Sequence, residues 1–138
     1  MNFVRLLIAS IAATVVYFVL GGIVFTLTPL GNEFVKYPNL YRPMESMQAH
    51  MPIGLVTTFV AILTTAILFA MTSRSGPAAG IRFGLLVGIF VVCGFVFHNY
   101  VNLNIGLRLT LLQGIAFLIE WTTVGLIIGL IYKPSAHS

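Results

Sequence analysis

The sequence predicts an all-α integral membrane protein: a bundle of four transmembrane helices with a short interfacial segment between the first and second. Three observations lead there. Only 7% of the 138 residues are charged, against about 25% in a soluble domain. Hydrophobic residues make up 59% of the chain and gather in four runs, each matching the roughly 20 residues that cross a bilayer. Within each run the apolar residues are continuous, which excludes the in-out alternation of a membrane barrel strand. One four-helix domain spanning residues 1–138 is the expected organisation.

The first run, Leu6 to Thr28, follows Arg5. A secretory signal peptide carries an apolar part of only about 7–15 residues before a small-x-small cleavage site. Here the run is longer and leaves through Thr28, Pro29, Leu30 and Gly31, so it reads as a retained helix. The connection from Pro29 to Met51 holds three prolines and two of the three acids. Within it, Met44 to Met51 suits a short interfacial helix opened by Pro43 at its first turn. Tyr37 and Tyr41 would sit at the level of the aromatic belt.

The second run, Ile53 to Thr72, is preceded by Pro52 and closed by Ser73-Arg74-Ser75-Gly76-Pro77. Gly80 to Val101 is the third. A short return through Asn102 and Asn104 leads to the fourth, Leu109 to Tyr132.

Charge placement suggests an orientation. An even number of spans puts both termini on the side of the second loop, with Arg5, Arg74, Arg82 and Lys133. The opposite side carries Lys36, Arg42 and Arg108 together with Glu33 and Glu45. The larger basic count points to cytoplasmic termini. The net charge of +4 then reflects topology. Its bases are scattered singly, which excludes a nucleic-acid-binding patch. The one cysteine, Cys93, can form no internal disulfide.

Gly80, Gly84 and Gly88 recur every four residues on the third span, and Gly125 and Gly129 do so on the fourth. Small residues at such spacing let two helix backbones approach closely. Pairing within one hairpin is the preferred arrangement. Pairing between two copies is the alternative, which leaves a homodimer or larger membrane complex open beside the lipid bilayer as partner. Gly21 and Gly22 reach the level of Gly54, a similar match between the first two spans.

Glu120 is the most informative residue. It lies halfway along the fourth span, where an acid opposes insertion by about 3 kcal/mol. Thirteen Leu, Ile, Phe and Val residues between Leu109 and Ile131 outweigh that penalty at about 0.3 to 0.6 kcal/mol each. The helix therefore inserts, and the acid needs a partner. At about 1.5 Å per residue, Tyr17, Thr65, Cys93, Glu120 and Trp121 fall at one depth, an intramembrane polar layer. Gln113 lies on the Glu120 face, one heptad earlier. Ser10, Thr14, Tyr17 and Gly21 make a second small or polar stripe on the first span. These stripes suit either a narrow water path or the packing of a compact bundle.

His50 and His98 both fall near the surface opposite the termini, beside Met44, Met47 and Met51. Imidazoles with thioethers suit copper, and two imidazoles can bracket a haem. Methionines at helical spacing are more often an apolar face, so neither a metal nor a cofactor is expected. No nucleophilic triad, phosphate loop or metalloprotease motif occurs, and the chain is not expected to be an enzyme.

Three segments carry a resemblance: Tyr17-Phe-Val-Leu-Gly-Gly22, Gly80-Ile-Arg-Phe-Gly-Leu-Leu-Val-Gly88 and Gly125-Leu-Ile-Ile-Gly-Leu-Ile-Tyr132. With these the chain resembles small uncharacterised bacterial four-span membrane proteins of the unknown-function type. The resemblance implies an inner-membrane bundle and no particular activity. The expected role is a non-enzymatic accessory or assembly subunit. The alternative is a small proton-coupled transporter or channel using Glu120.

Overall fold

A long apolar run rich in β-branched residues, capped by small polar side chains, sets the first element, since in hydrocarbon its backbone groups must be satisfied within the segment whatever its propensity. In the computed structural model, which describes residues 2–134, α1 runs Phe3–Leu27. Asn2 caps it by accepting the Arg5 backbone N–H at 3.1 Å, as an N-cap side chain does. Thr28 closes it, its hydroxyl donating to the Val24 carbonyl at 2.6 Å. A five-residue helix, α2 (Leu30–Phe34), follows at once.

The second spanning helix, α3, is Met44–Met71 and contains Pro52. The separate interfacial helix expected over Met44–Met51 is instead the first two turns of α3. Proline removes one backbone hydrogen bond and crowds the preceding turn. Membrane helices tolerate it because local adjustment re-satisfies the freed groups. The short helix that does stand between the first two spans is α2.

Gly76, at φ +92°, turns the chain between α3 and α4, a conformation that glycine reaches without Cβ strain. Its N–H donates to the Gly129 carbonyl at 3.1 Å, tying the turn to the end of the last helix. Pro77 then occupies the first turn of α4 (Pro77–Val91). The span continues through a wider π-helical turn, Val92–Val96, into α5 (Phe97–Asn102). That turn buries both Val92 and Val96 and sets Val92 against the notch at Gly114, where an added Cβ would lie 3.5 Å from Val92 Cγ1. The last helix, α6, is Leu107–Ile131.

Four helices, α1, α3, α4 continued through α5, and α6, are long and apolar enough to span a membrane. No strand occurs among the described residues. Four crossings return the chain to the face where it began. That terminal face also carries the α3–α4 turn, and the loop face carries residues 28–43 and 103–106.

The helix α6 is central, packed along α4 on one side and α1 on the other, while α3 lies mainly against α1. Every buried residue of α3 falls between Ile62 and Ala70. At the terminal face Phe69 meets Phe83 and Tyr132 at ring-centroid distances of 5.4 and 6.3 Å, gathering α3, α4 and α6. The loop-face half of α3 contributes no buried residue.

Between α4 and α6 the glycines interlock within the chain. A methyl group on Gly84 would stand 2.9 Å from Gly125 Cα, and one on Gly80 would stand 2.9 Å from Gly129 Cα. Gly88 is looser, with Leu118 and Trp121 atoms at 3.4 Å. Backbone contact at this range gains dispersion that lipid chains cannot supply.

Candidate intramembrane site at Glu120

The side of α6 away from its glycines faces α1, and there Glu120 is buried at 7% exposure. Residues 120 and 125 lie about 140° apart on a helix, so close packing against α4 does not obstruct the carboxyl group. Tyr17 on α1 lines the same cavity, which places its phenol on the side of α6 that carries that carboxyl group. Tyr17 is held by Trp121, whose ring meets it edge-on at 5.9 Å. One turn along α1, Gly21 leaves room for Glu120: an added methyl would lie 3.2 Å from Oε1.

The carboxyl group lines a cavity of about 270 Å3 between α1 and α6. Gln113 and Tyr17 supply its other polar side chains, and Phe18, Phe25, Phe34 and Phe117 its rings. Leu30 and Phe34 of α2 bound it toward the loop face. Phe25 and Phe34 form a shared wall, 5.7 Å between ring centroids, with a second cavity beyond it. A carboxyl group, a phenol and an amide around one apolar space can accept a proton, hold water or balance a small cation. Among the described residues no Lys, Arg or His lines the space, so it offers no positive charge to an anion.

The polar layer expected at this depth is only partly assembled. Tyr17 and Gln113 join Glu120. Trp121 is buried at 7% exposure but supports Tyr17 rather than lining the cavity, and its Nε1–H has no hydrogen-bond partner among the described residues. Thr65 is buried, yet its hydroxyl donates to its own helix at the Ala61 carbonyl, 2.8 Å away, and it does not line the cavity. Cys93 is exposed. Ser10 and Thr14 also turn their hydroxyls inward, donating to the Leu6 and Ser10 carbonyls. Hydroxyls satisfied at the preceding turn let helices pack closely and leave no polar path. The stripe is therefore packing surface up to Thr14 and part of the site only at Tyr17 and Gly21. Gly22 and Gly54 have nothing within 4 Å of an added Cβ, so the glycine match expected between the first two spans does not form.

The histidines do not converge. His50 is on α3 and His98 on α5, elements that make no contact, and both side chains are exposed. His50 Nδ1 is engaged by the Ser46 carbonyl at 2.7 Å. Met47 lines the loop-face cavity instead. Among the described residues no three His, Cys, Asp or Glu side chains come together in a metal-binding group. Glu120, as a lone carboxylate, supplies far fewer than the six to eight oxygens a calcium ion takes.

Sequence reasoning missed Glu33. Placed in a polar connection, it is 4% exposed and pairs with Lys36 at 2.7 Å and with Arg108, at the start of α6, at 3.3 Å. Nearby the Gly106 N–H donates to the Tyr37 hydroxyl at 2.8 Å. Together these contacts seat α2 on the first turn of α6 and so close the Glu120 cavity on that side. The available signal was Leu30 and Phe34 flanking Glu33, with Lys36 one turn on.

Residues 8–129 match the family described as "Protein of unknown function (DUF1761)". The chain belongs to the DUF1761 family. The matched region takes in the second and third spanning helices whole, most of the first and last, and every residue of the Glu120 cavity in this DUF1761 chain. No curated protein and no solved structure matches it.

Proposed function

We propose that this protein is a small, non-enzymatic, multi-pass inner-membrane protein that takes up a proton or small cation at Glu120 within a transport or channel cycle. One observation carries the reading: Glu120 borders a cavity, with Tyr17 and Gln113, rather than being enclosed by packing. A purely structural acid needs a hydrogen-bond partner but no open space beside it. Intramembrane acids that face a cavity mark ion and proton pathways. The excess of bases on the terminal face favours cytoplasmic termini. The cavity then lies toward the outer side of the membrane.

Glu120→Gln tests this directly. The amide keeps the shape and hydrogen-bonding capacity of the acid but cannot titrate. In vesicles reconstituted with purified protein, the parent should give a proton-gradient-dependent flux of a small cation, and the variant should melt like the parent without it. Equal flux from the two would sink the proposal.

A second reading, an accessory or assembly subunit, draws on α3. Its half from Met44 to Ala61 contributes no buried residue, which suits a lipid-embedded contact with another protein. A stoichiometric second chain in native membranes, with no flux from the isolated protein, would favour it.

A further inference from the structure

Beyond the Phe25–Phe34 wall lies a cavity of about 340 Å3 at the loop face. Its walls include Phe25 near the end of α1, Phe34 of α2, Tyr41, and Met44 and Met47 in the first turn of α3. These are rings and flexible thioethers, surfaces that adapt to an irregular apolar occupant. Because Phe25 stands two residues before the end of α1, the cavity sits where acyl chains meet headgroups.

One charged residue, Arg42, lines it. Of the loop-face bases, Lys36 and Arg108 share Glu33, whereas Arg42 pairs with no carboxylate among the described residues. Glu45 lies three residues away without bonding to it and does not line the cavity. A guanidinium is a forked, permanently charged donor that matches phosphate oxygens. An apolar cavity with an unpaired guanidinium at the headgroup level is complementary to an acidic amphiphile.

We propose that this cavity binds an anionic phospholipid of the surrounding bilayer, with an acyl chain against Phe25, Phe34, Met44 and Met47 and the phosphate on Arg42. Lipid with net negative charge is selected because a zwitterionic headgroup brings its own cation to the same place. The site is independent of any role for Glu120.

The test is native mass spectrometry of the full chain released from detergent, with phosphatidylglycerol and phosphatidylcholine of equal chain length added at equal concentration. The parent should retain phosphatidylglycerol about fivefold better, the order expected for one base at a membrane surface. Arg42→Gln, at an exposed position, should erase the preference, while Arg74→Gln on the terminal face should keep it. Met47→Trp, which fills the cavity, should lower retention of both lipids. Equal retention by the parent overturns the proposal, as does a preference that survives Arg42→Gln. Displacement of the lipid by inorganic phosphate alone would also overturn it, since the apolar walls would then contribute nothing.

Discussion

Gly21 on α1 leaves the space that the Glu120 carboxyl group occupies on α6, with 3.2 Å between Oε1 and the position of an added methyl. An acid in mid-membrane needs room for a proton or counter-charge as well as a hydrogen-bond partner, and two residues one turn apart on α1 divide these tasks. Tyr17 brings a hydroxyl to the cavity that the acid lines, and Gly21 supplies the clearance.

Gly21→Ala should therefore impair Glu120 more than it impairs the fold. The neighbour is the end of a flexible side chain, so stability should change by less than about 1 kcal/mol, helped by the better helix propensity of alanine. Proton-coupled flux should fall. Gly22→Ala, with nothing within 4 Å of its new methyl, is the matched control and should behave like the parent in both assays. Equal flux in the two variants would show that Gly21 does not set the geometry of the acid.

The α4–α6 glycines should separate by what they face. Gly84→Ala and Gly125→Ala drive a methyl into opposing backbone, at 2.9 Å from Gly125 Cα and 2.6 Å from Gly84 Cα. Each should destabilise by at least about 1–3 kcal/mol, the range for overpacking. Gly88→Ala meets ordinary contacts at 3.4 Å and should cost less than about 1 kcal/mol. Thermal unfolding in detergent reads the order, and a Gly88 variant as damaged as the Gly84 variant would contradict the interlocked hairpin.

Glu33 should matter through charge. Its partners Lys36 and Arg108 have side chains 55% and 68% exposed, so each pair contributes no more than about 1 kcal/mol and is screened by salt. Glu33→Gln should lower the melting temperature at low salt and flatten its salt dependence. Tyr37→Phe removes the acceptor of the Gly106 N–H and should cost about 1 kcal/mol at any salt concentration. A salt response in Glu33→Gln as large as that of the parent would remove the ion pairs from the account.

Orientation is tested by reporter fusions. Fusions after Ser75 and after Lys133 should both report the cytoplasm, and one after Tyr37 the opposite side. A reporter that is external after Lys133 would reverse the assignment and put the Glu120 cavity toward the cytoplasm.

Much of this architecture was legible in one dimension because a bilayer is a severe solvent. Backbone groups in hydrocarbon must be satisfied within the segment, so a long apolar run can only be a helix and its length reports the crossing. The same severity singled out Glu120, since an acid there opposes insertion whatever surrounds it. Helical geometry further put Tyr17 near its depth and Gln113 on its face.

Tertiary structure decided which of the residues at one level meet. Depth leaves rotation about each helix axis undetermined, and rotation follows from packing. The interlocked glycines press α4 against one side of α6, which turns Glu120 toward α1. That choice brings Tyr17 and Gly21 to the acid, leaves Thr65 bonded to its own helix and puts Cys93 on the surface. Apolar character told nothing of the buried Glu33 either, because its burial depends on Arg108, 75 residues further along the chain. The sequence determined that there are four crossings and one mid-membrane acid on the last of them; helix rotation and long-range contacts made that acid part of a cavity.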